Sequence, residues 1–124
     1  MNREQVARWL DGYVTAWRSN ERAQIEALFT PDARYRYRPH DDALIGAEAI
    51  ASDWLEDPDD PAVWEAEYTP FAIDGDAVVA VGVSRYRATA DRPERTYHNC
   101  FLMHLAEDGR CRDFTEWFML EPPD

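Results

Sequence analysis

The dipeptide Asp108-Gly109, set between two runs of alternating polar and apolar residues, constrains this chain more than any other feature. Asp-Gly in that setting is the strongest short-range signal for a β-hairpin closed by a two-residue type I′ turn. Such a turn pairs Glu107 with Arg110, and counting outward fixes every later partner. Met103 falls opposite Phe114, Phe101 opposite Glu116, and Asn99 opposite Phe118, on a face shared with Tyr97, Leu105 and Leu120. The other face carries His98, Cys100, Leu102 and His104 opposite Met119, Trp117, Thr115 and Asp113. A slip of one residue would exchange every assignment, because strand side chains alternate between faces.

The segments before the hairpin read as helices first and strands later. Val6, Trp9, Leu10, Tyr13, Val14 and Trp17 recur at the spacing of an amphipathic helix over 3–18. Asn20 is the expected N-cap of a second short helix that uses Ile25, Leu28 and Phe29 and ends before Pro31. Arg34-Tyr35-Arg36-Tyr37-Arg38 alternates strictly, which predicts a strand with tyrosines on one face and arginines on the other. Gly46 precedes a third helix, with Ile50 and Trp54 one turn apart, broken by Pro58 and Pro61. Strands are then expected near 63–73, 76–89, 95–106 and 110–120. Helices followed by a meander of strands predict an α+β domain of order α-α-β-α-β-β-β-β, spanning 1–124 as one unit, with helices on one side of a mostly antiparallel sheet.

Charge excludes several function classes. Twenty-five acidic residues stand against 13 basic ones, for a net charge of −12, so neither nucleic acid nor an anionic membrane surface is an expected partner. The longest small apolar run, Ala77 to Val83, is far short of the roughly 20 residues that span a bilayer. The expectation is a cytoplasmic protein. Cys100 and Cys111 lie about 17–20 Å apart in the expected register, far outside disulfide reach, and read as structural thiols. Asp53, Glu56, Asp57, Asp59 and Asp60 lack the glycine and ligand spacing of a calcium loop and read as a solvated loop. His40, His98 and His104 are too scattered for a metal site, and His104 opposite Asp113 reads as a cross-strand pair. No phosphate loop or nucleotide motif is present, so no cofactor and no metal is expected.

Tyr13-Val14-Thr15-Ala16-Trp17, then Ile25, Leu28-Phe29-Thr30-Pro31-Asp32-Ala33, Gly46 with Ile50, and the terminal Gly109-Arg110 strand resemble the nuclear transport factor 2-like superfamily, most closely its SnoaL-like and ketosteroid-isomerase-like branch. The resemblance covers essentially the whole chain. It implies a curved sheet wrapped around a long helix, a conical hydrophobic cavity and a homodimer. It implies no single activity, because one fold hosts isomerases, dehydratases, cyclases, epoxide hydrolases and non-catalytic domains. By the same resemblance Tyr13 matches the oxyanion-hole tyrosine of ketosteroid isomerase. The isomerase's proton-shuttling carboxylate falls on Tyr37 and its second acid on Phe101, which argues against steroid isomerisation by that mechanism. The SnoaL-like cyclases resemble this chain in carrying a carboxylate on the last strand, near Glu116.

Glu116 is therefore the leading candidate. Inward among Phe101, Phe114 and Phe118, its carboxyl is desolvated, and a raised pKa suits general acid-base work near neutrality. The competing reading pairs it with an inward Arg, such as Arg112 or one from strand 76–89. Tyr13 and Asp53 complete the candidate catalytic set. Trp17, Tyr35, Tyr37, Trp54, Asn99, Phe101, Phe114 and Phe118 are the candidate ligand-binding residues, a set rich in rings and hydrogen-bonding groups that fits a small apolar or aromatic ligand. Two functions remain open: cofactor-independent proton transfer on an apolar carbonyl compound (isomerase, cyclase or dehydratase type), or a non-catalytic dimer that binds a ligand or a protein.

Overall fold

The computed structural model describes residues 1–122. Helix α1 (Arg3–Ser19) opens with a capping box, in which the Asn2 side chain accepts from the Gln5 amide while the Gln5 side chain accepts from the Asn2 amide. Its apolar stripe, Val6, Trp9, Leu10, Tyr13 and Ala16, is buried against the sheet. Asn20 does not cap the second helix. It closes α1 in the left-handed conformation (φ 56°), a role asparagine tolerates well, and Glu21 precedes α2 (Arg22–Glu26) with no side-chain cap.

Strand β1 (Phe29–Arg36) starts earlier than the alternation suggests, and Phe29 belongs to it rather than to a helix. Tertiary pairing decides this: Phe29 lies beside Cys111 and is fully buried in the core. Pro31 falls where the register shifts between Phe29 and Arg34, so its missing N–H removes no regular ladder bond. A two-residue strand β2 (Leu44–Ile45) pairs with β1 and is too short to show any periodicity. Gly46 then turns the chain at φ 98°, with its amide donating to the Ala33 carbonyl, and α3 (Ala47–Glu56) follows. A Cβ at Gly46 would sit 2.9 Å from the Pro31 carbonyl oxygen.

The remaining strands are β3 (Trp64–Asp74), β4 (Ala77–Tyr86), β5 (Arg95–Leu105) and β6 (Cys111–Leu120). They form one six-stranded sheet of order β2-β1-β6-β5-β4-β3, antiparallel except where β1 runs parallel to β6. The β5–β6 register is the expected one from Tyr97↔Leu120 to His104↔Asp113, including Phe101↔Glu116 and Asn99↔Phe118. The turn that produces it is different. Gly109 has positive φ but Asp108 does not, whereas a type I′ turn needs both. The loop is instead closed by Gly109 N–H to Ala106 O and Ala106 N–H to Arg110 O, one residue out of step with the expected pairing. A bulge restores the step: Leu105 pairs with Cys111 but His104 with Asp113, which leaves Arg112 as the extra residue.

Arg112 consequently lies outside, bonded to Asp76. His104 also turns to Asp76 (3.7 Å) although it stands opposite Asp113 in register; Asp113 lies 3.9 Å from Arg36 instead. Both cysteines are free, with Cys111 buried and its thiol pushed up to about 12 by that burial. Among the described residues no helix is long and apolar enough to cross a membrane.

Candidate functional site

One pocket of about 490 Å³ opens between the helices and the concave face of the sheet. From α1 it receives Tyr13 and Trp17; from β1 and the residue just past it, Tyr35 and Tyr37. Helix α3 contributes Asp53 and Trp54. Tyr68 of β3, Tyr86 of β4 and Glu116 of β6 close the sheet side. The rings are held by one another: Tyr35 stacks on Phe114 at 4.6 Å, and Tyr13 meets Trp54 edge-on at 5.4 Å. Phe101 and Phe114 form the buried layer behind these rings.

Glu116 is fixed by a chain of polar groups that spans four strands, β6 to β3. Asn99 Nδ2 donates to Glu116 Oε2 at 2.7 Å, Ser84 Oγ donates to Asn99 Oδ1 at 2.9 Å, and the Tyr68 and Ser84 hydroxyls are 2.6 Å apart. The ladder makes this possible, because Ser84 lies opposite both Ala66 and Tyr97 while Asn99 lies opposite both Gly82 and Phe118. Among the described residues no cation pairs with Glu116; Arg112, the inward partner considered from sequence, is outside on Asp76. Burial pushes the Glu116 carboxyl up to about 7, against a smaller opposing effect of the Asn99 hydrogen bond. Burial also raises the phenol pKa of Tyr13, Tyr35, Tyr37 and Tyr68, and the Glu116 charge adds to the rise in all four. At neutral pH these tyrosines are therefore hydrogen-bond donors and not phenolates.

Asp53 stands on the pocket wall and accepts from the Tyr37 hydroxyl at 2.6 Å. The acidic stretch 56–60 is exposed, as expected of a solvated loop, and two contacts tether that loop to the end of α1. Asp59 Oδ2 accepts from Trp17 Nε1 (3.1 Å), its carbonyl accepts from Asn20, and Glu56, Asp57 and Asp59 all edge the mouth. The pocket is thus walled by carboxyl groups as well as rings. A second hollow, about 320 Å³, shares Asp59, Tyr86 and Glu116 with the first and adds Phe118, Tyr97, Arg38, Arg92 and Arg95.

Residues 10–114 match the SnoaL-like domain. The chain belongs to the SnoaL-like domain family. No curated protein sequence matches it. In fold this SnoaL-like domain is similar to an NTF-2 like protein of unknown function from Burkholderia xenovorans LB400, with 16% identity over 97% of this chain and 88% of the other (TM-score 0.70). A protein assigned as a scytalone dehydratase from Novosphingobium aromaticivorans DSM 12444 is 15% identical over 98% and 87% of the two chains (TM-score 0.73). An LEH-like epoxide hydrolase from M. tuberculosis is 14% identical over 94% and 84% (TM-score 0.68). At such identities the likeness concerns the α+β cone of the nuclear transport factor 2-like fold.

Sequence reading brought Tyr13, Trp17, Tyr35, Tyr37, Asp53, Trp54 and Glu116 to the site, and the structure places all seven on one pocket wall. Asn99 is buried behind Glu116 as its hydrogen-bond donor, and Phe118 lines the neighbouring hollow. Tyr68, Ser84, Tyr86 and Asp59 were missed. Their signal lay in pairing: once Asn99 faces inward on β5, the small polar Ser84 two residues past Gly82 on β4 is the natural partner of its amide.

Proposed function

We propose that this SnoaL-like domain catalyses cofactor-independent proton transfer on a small, largely apolar carbonyl compound, with Glu116 as the general base and acid. The observation that carries the reading is a carboxyl group in an aromatic pocket, oriented by Asn99, unpaired with any described cation and pushed up to about 7. In its ionised form Glu116 takes a proton from the carbon next to the carbonyl. The bonding pair moves toward oxygen as an enolate, and a neutral phenol, Tyr13, donates to that oxygen. Glu116, now protonated, returns the proton to another position of the substrate or to a leaving group. Asp53, through Tyr37, orients a second phenol on the same wall. The fold supports isomerase, cyclase and dehydratase chemistry equally; the acid's position supports a step that begins with carbon-bound hydrogen.

The test is solvent exchange. Aromatic ketones such as tetralone, incubated with the protein in D₂O, should gain deuterium next to the carbonyl, at a rate that rises with pH through about 7 as Glu116 ionises. Exchange no faster than buffer alone across a panel of such ketones ends the reading. Tyr13→Phe should keep the fold and weaken binding of a phenolate enolate mimic by about 1–3 kcal/mol, the usual cost of a buried acceptor left without its donor. Equal affinity by calorimetry would leave Tyr13 as packing alone.

The pocket belongs, in this reading, to a homodimer built through the convex face of β5 and β6. Leu102 (41% exposed), Trp117 (44%) and Met119 (76%) share that face with Cys100, which stands directly opposite Trp117 in the ladder. Such a cluster is self-complementary about a two-fold axis, and a second copy covers it. Light scattering should give twice the monomer mass at micromolar concentration, and Trp117→Arg should reduce it to the monomer. A wild-type monomer mass overturns the dimer.

A further inference from the structure

The hollow beside Glu116 gathers three of the chain's 13 arginines, Arg38, Arg92 and Arg95, although the chain as a whole carries a net charge of −12. They come from separate places: the loop after β1, the loop between β4 and β5, and the first residue of β5. Among the described residues none of the three has a carboxylate within ion-pair distance, whereas Arg22, Arg36, Arg85, Arg110 and Arg112 all do. Two are held by their faces. The Arg95 guanidinium lies 4.2 Å over the Tyr86 ring and that of Arg38 lies 5.8 Å over the Phe118 ring. A guanidinium stacked on a ring keeps its in-plane N–H donors available for a planar, bidentate acceptor. The buried Arg95 Nε also has no hydrogen-bond partner, an arrangement that costs stability unless a ligand supplies the acceptor.

The carboxyl groups facing this hollow are Asp59, whose Oδ2 already accepts from Trp17, and Glu116. Those two acids disfavour a dianion more than a monoanion. Resting on the reading that the adjoining aromatic pocket takes a small carbonyl compound, we propose that the ligand also carries a carboxylate, held by Arg38, Arg92 and Arg95, with its apolar body reaching past Glu116 into the aromatic pocket. The shared walls at Asp59, Tyr86 and Glu116 place the two ends of such a molecule on either side of the proton-transfer group. The ligand is then amphiphilic, an aromatic or alicyclic keto acid, and the arginines set which end enters first.

Calorimetry with matched probes tests this. Naphthoate and naphthamide present the same body with and without the charge, and naphthyl phosphate offers the dianionic alternative. At pH 6, below the value of about 7 at which Glu116 ionises, naphthoate should bind at least about tenfold more tightly than naphthamide. Arg38→Gln/Arg95→Gln should abolish that preference while leaving naphthamide affinity unchanged. Arg38→Gln/Arg92→Gln, which spares the strand residue, should reduce it if the Arg95 variant fails to fold. Naphthamide binding with no gain for naphthoate, or a preference that survives both double variants, overturns the arginine site and leaves the aromatic pocket standing. Naphthyl phosphate binding more tightly than naphthoate overturns the carboxylate assignment. Binding of neither naphthyl acid nor amide overturns the arginine site and the pocket reading together.

Discussion

Glu116→Gln is expected to make the protein more stable at pH 8 and to cut its solvent-exchange activity by orders of magnitude. The carboxyl titrates at about 7 in the folded chain against an ordinary 4.5, so the folded state holds its proton over a range in which the unfolded state has lost it. A carboxyl raised on folding favours the folded state only while protonated, and its ionisation as the pH climbs from the ordinary value to the folded one removes stability. Wild type should therefore lose about 2–3 kcal/mol between pH 5 and pH 8 that the glutamine variant keeps, on the order of 10 °C in melting temperature. Glutamine can still accept from Asn99, so the polar chain to Tyr68 survives. At pH 5 the two proteins should melt within a few degrees of each other. Exchange activity should fall by about 10²–10⁴, the usual contribution of a positioned acid or base. Melting curves at both pH values decide the matter: a variant less stable than wild type at pH 8 would mean that a cation holds Glu116, and a low-pKa carboxylate cannot do this chemistry.

Gly82→Ala is expected to cost about 3 kcal/mol, although alanine is a small residue and Gly82 has ordinary strand geometry. A Cβ at this position would overlap the Glu67 carbonyl oxygen and the Tyr68 ring, and would lie 2.8 Å from the Tyr68 Cα. Gly82 pairs with Tyr68 on one side and Asn99 on the other, so the gap it leaves is where the Tyr68 ring crosses β4 to reach Ser84 and the pocket. Displacing that ring should loosen the Ser84–Asn99 orientation and weaken the one contact that lowers the Glu116 pKa, moving it above 7. Denaturant unfolding measures the first effect and carbon NMR of labelled glutamate the second. In Gly82→Ala/Tyr68→Ala the total loss should be smaller than the sum of the single losses, because one clash is shared. Strict additivity would locate the damage elsewhere.

Much of this was legible in residue order. The helix periodicity in 3–18, the strand meander and the inward position of Glu116 all followed from spacing, because a strand with one buried face is read by parity alone. What failed were local signals overridden by partners distant in sequence. Asn20 looks like an N-cap, but the left-handed end of α1 claims it; Phe29 looks helical, but its place beside Cys111 in the core claims it. Tyr68, Ser84 and Tyr86 escaped because β3 and β4 alternate weakly, and their site roles arise from cross-strand neighbours rather than from their own segments. Arg112 was read as a possible inward cation because the simple turn puts it there; the bulge sends it outside.

That bulge separates the length of the hairpin loop from the facing of the strand beyond it. With the simple two-residue turn, Leu105 would stand opposite Arg112, and a guanidinium would occupy the interior position now filled by the Cys111 thiol. With the loop closed at Ala106 and Arg110, Cys111 takes the inside and the surplus residue is expelled, while Phe114, Glu116 and Phe118 keep their places. A loop residue can thus be gained or lost at one end of the hairpin and absorbed four residues before the acid, with no change in where the acid points. Length variation at this tip is neutral for the pocket as long as the bulge compensates. An insertion beyond Asp113 has no such absorber, and would turn Trp117's neighbour outward and put the tryptophan's own ring on the wrong face of the sheet.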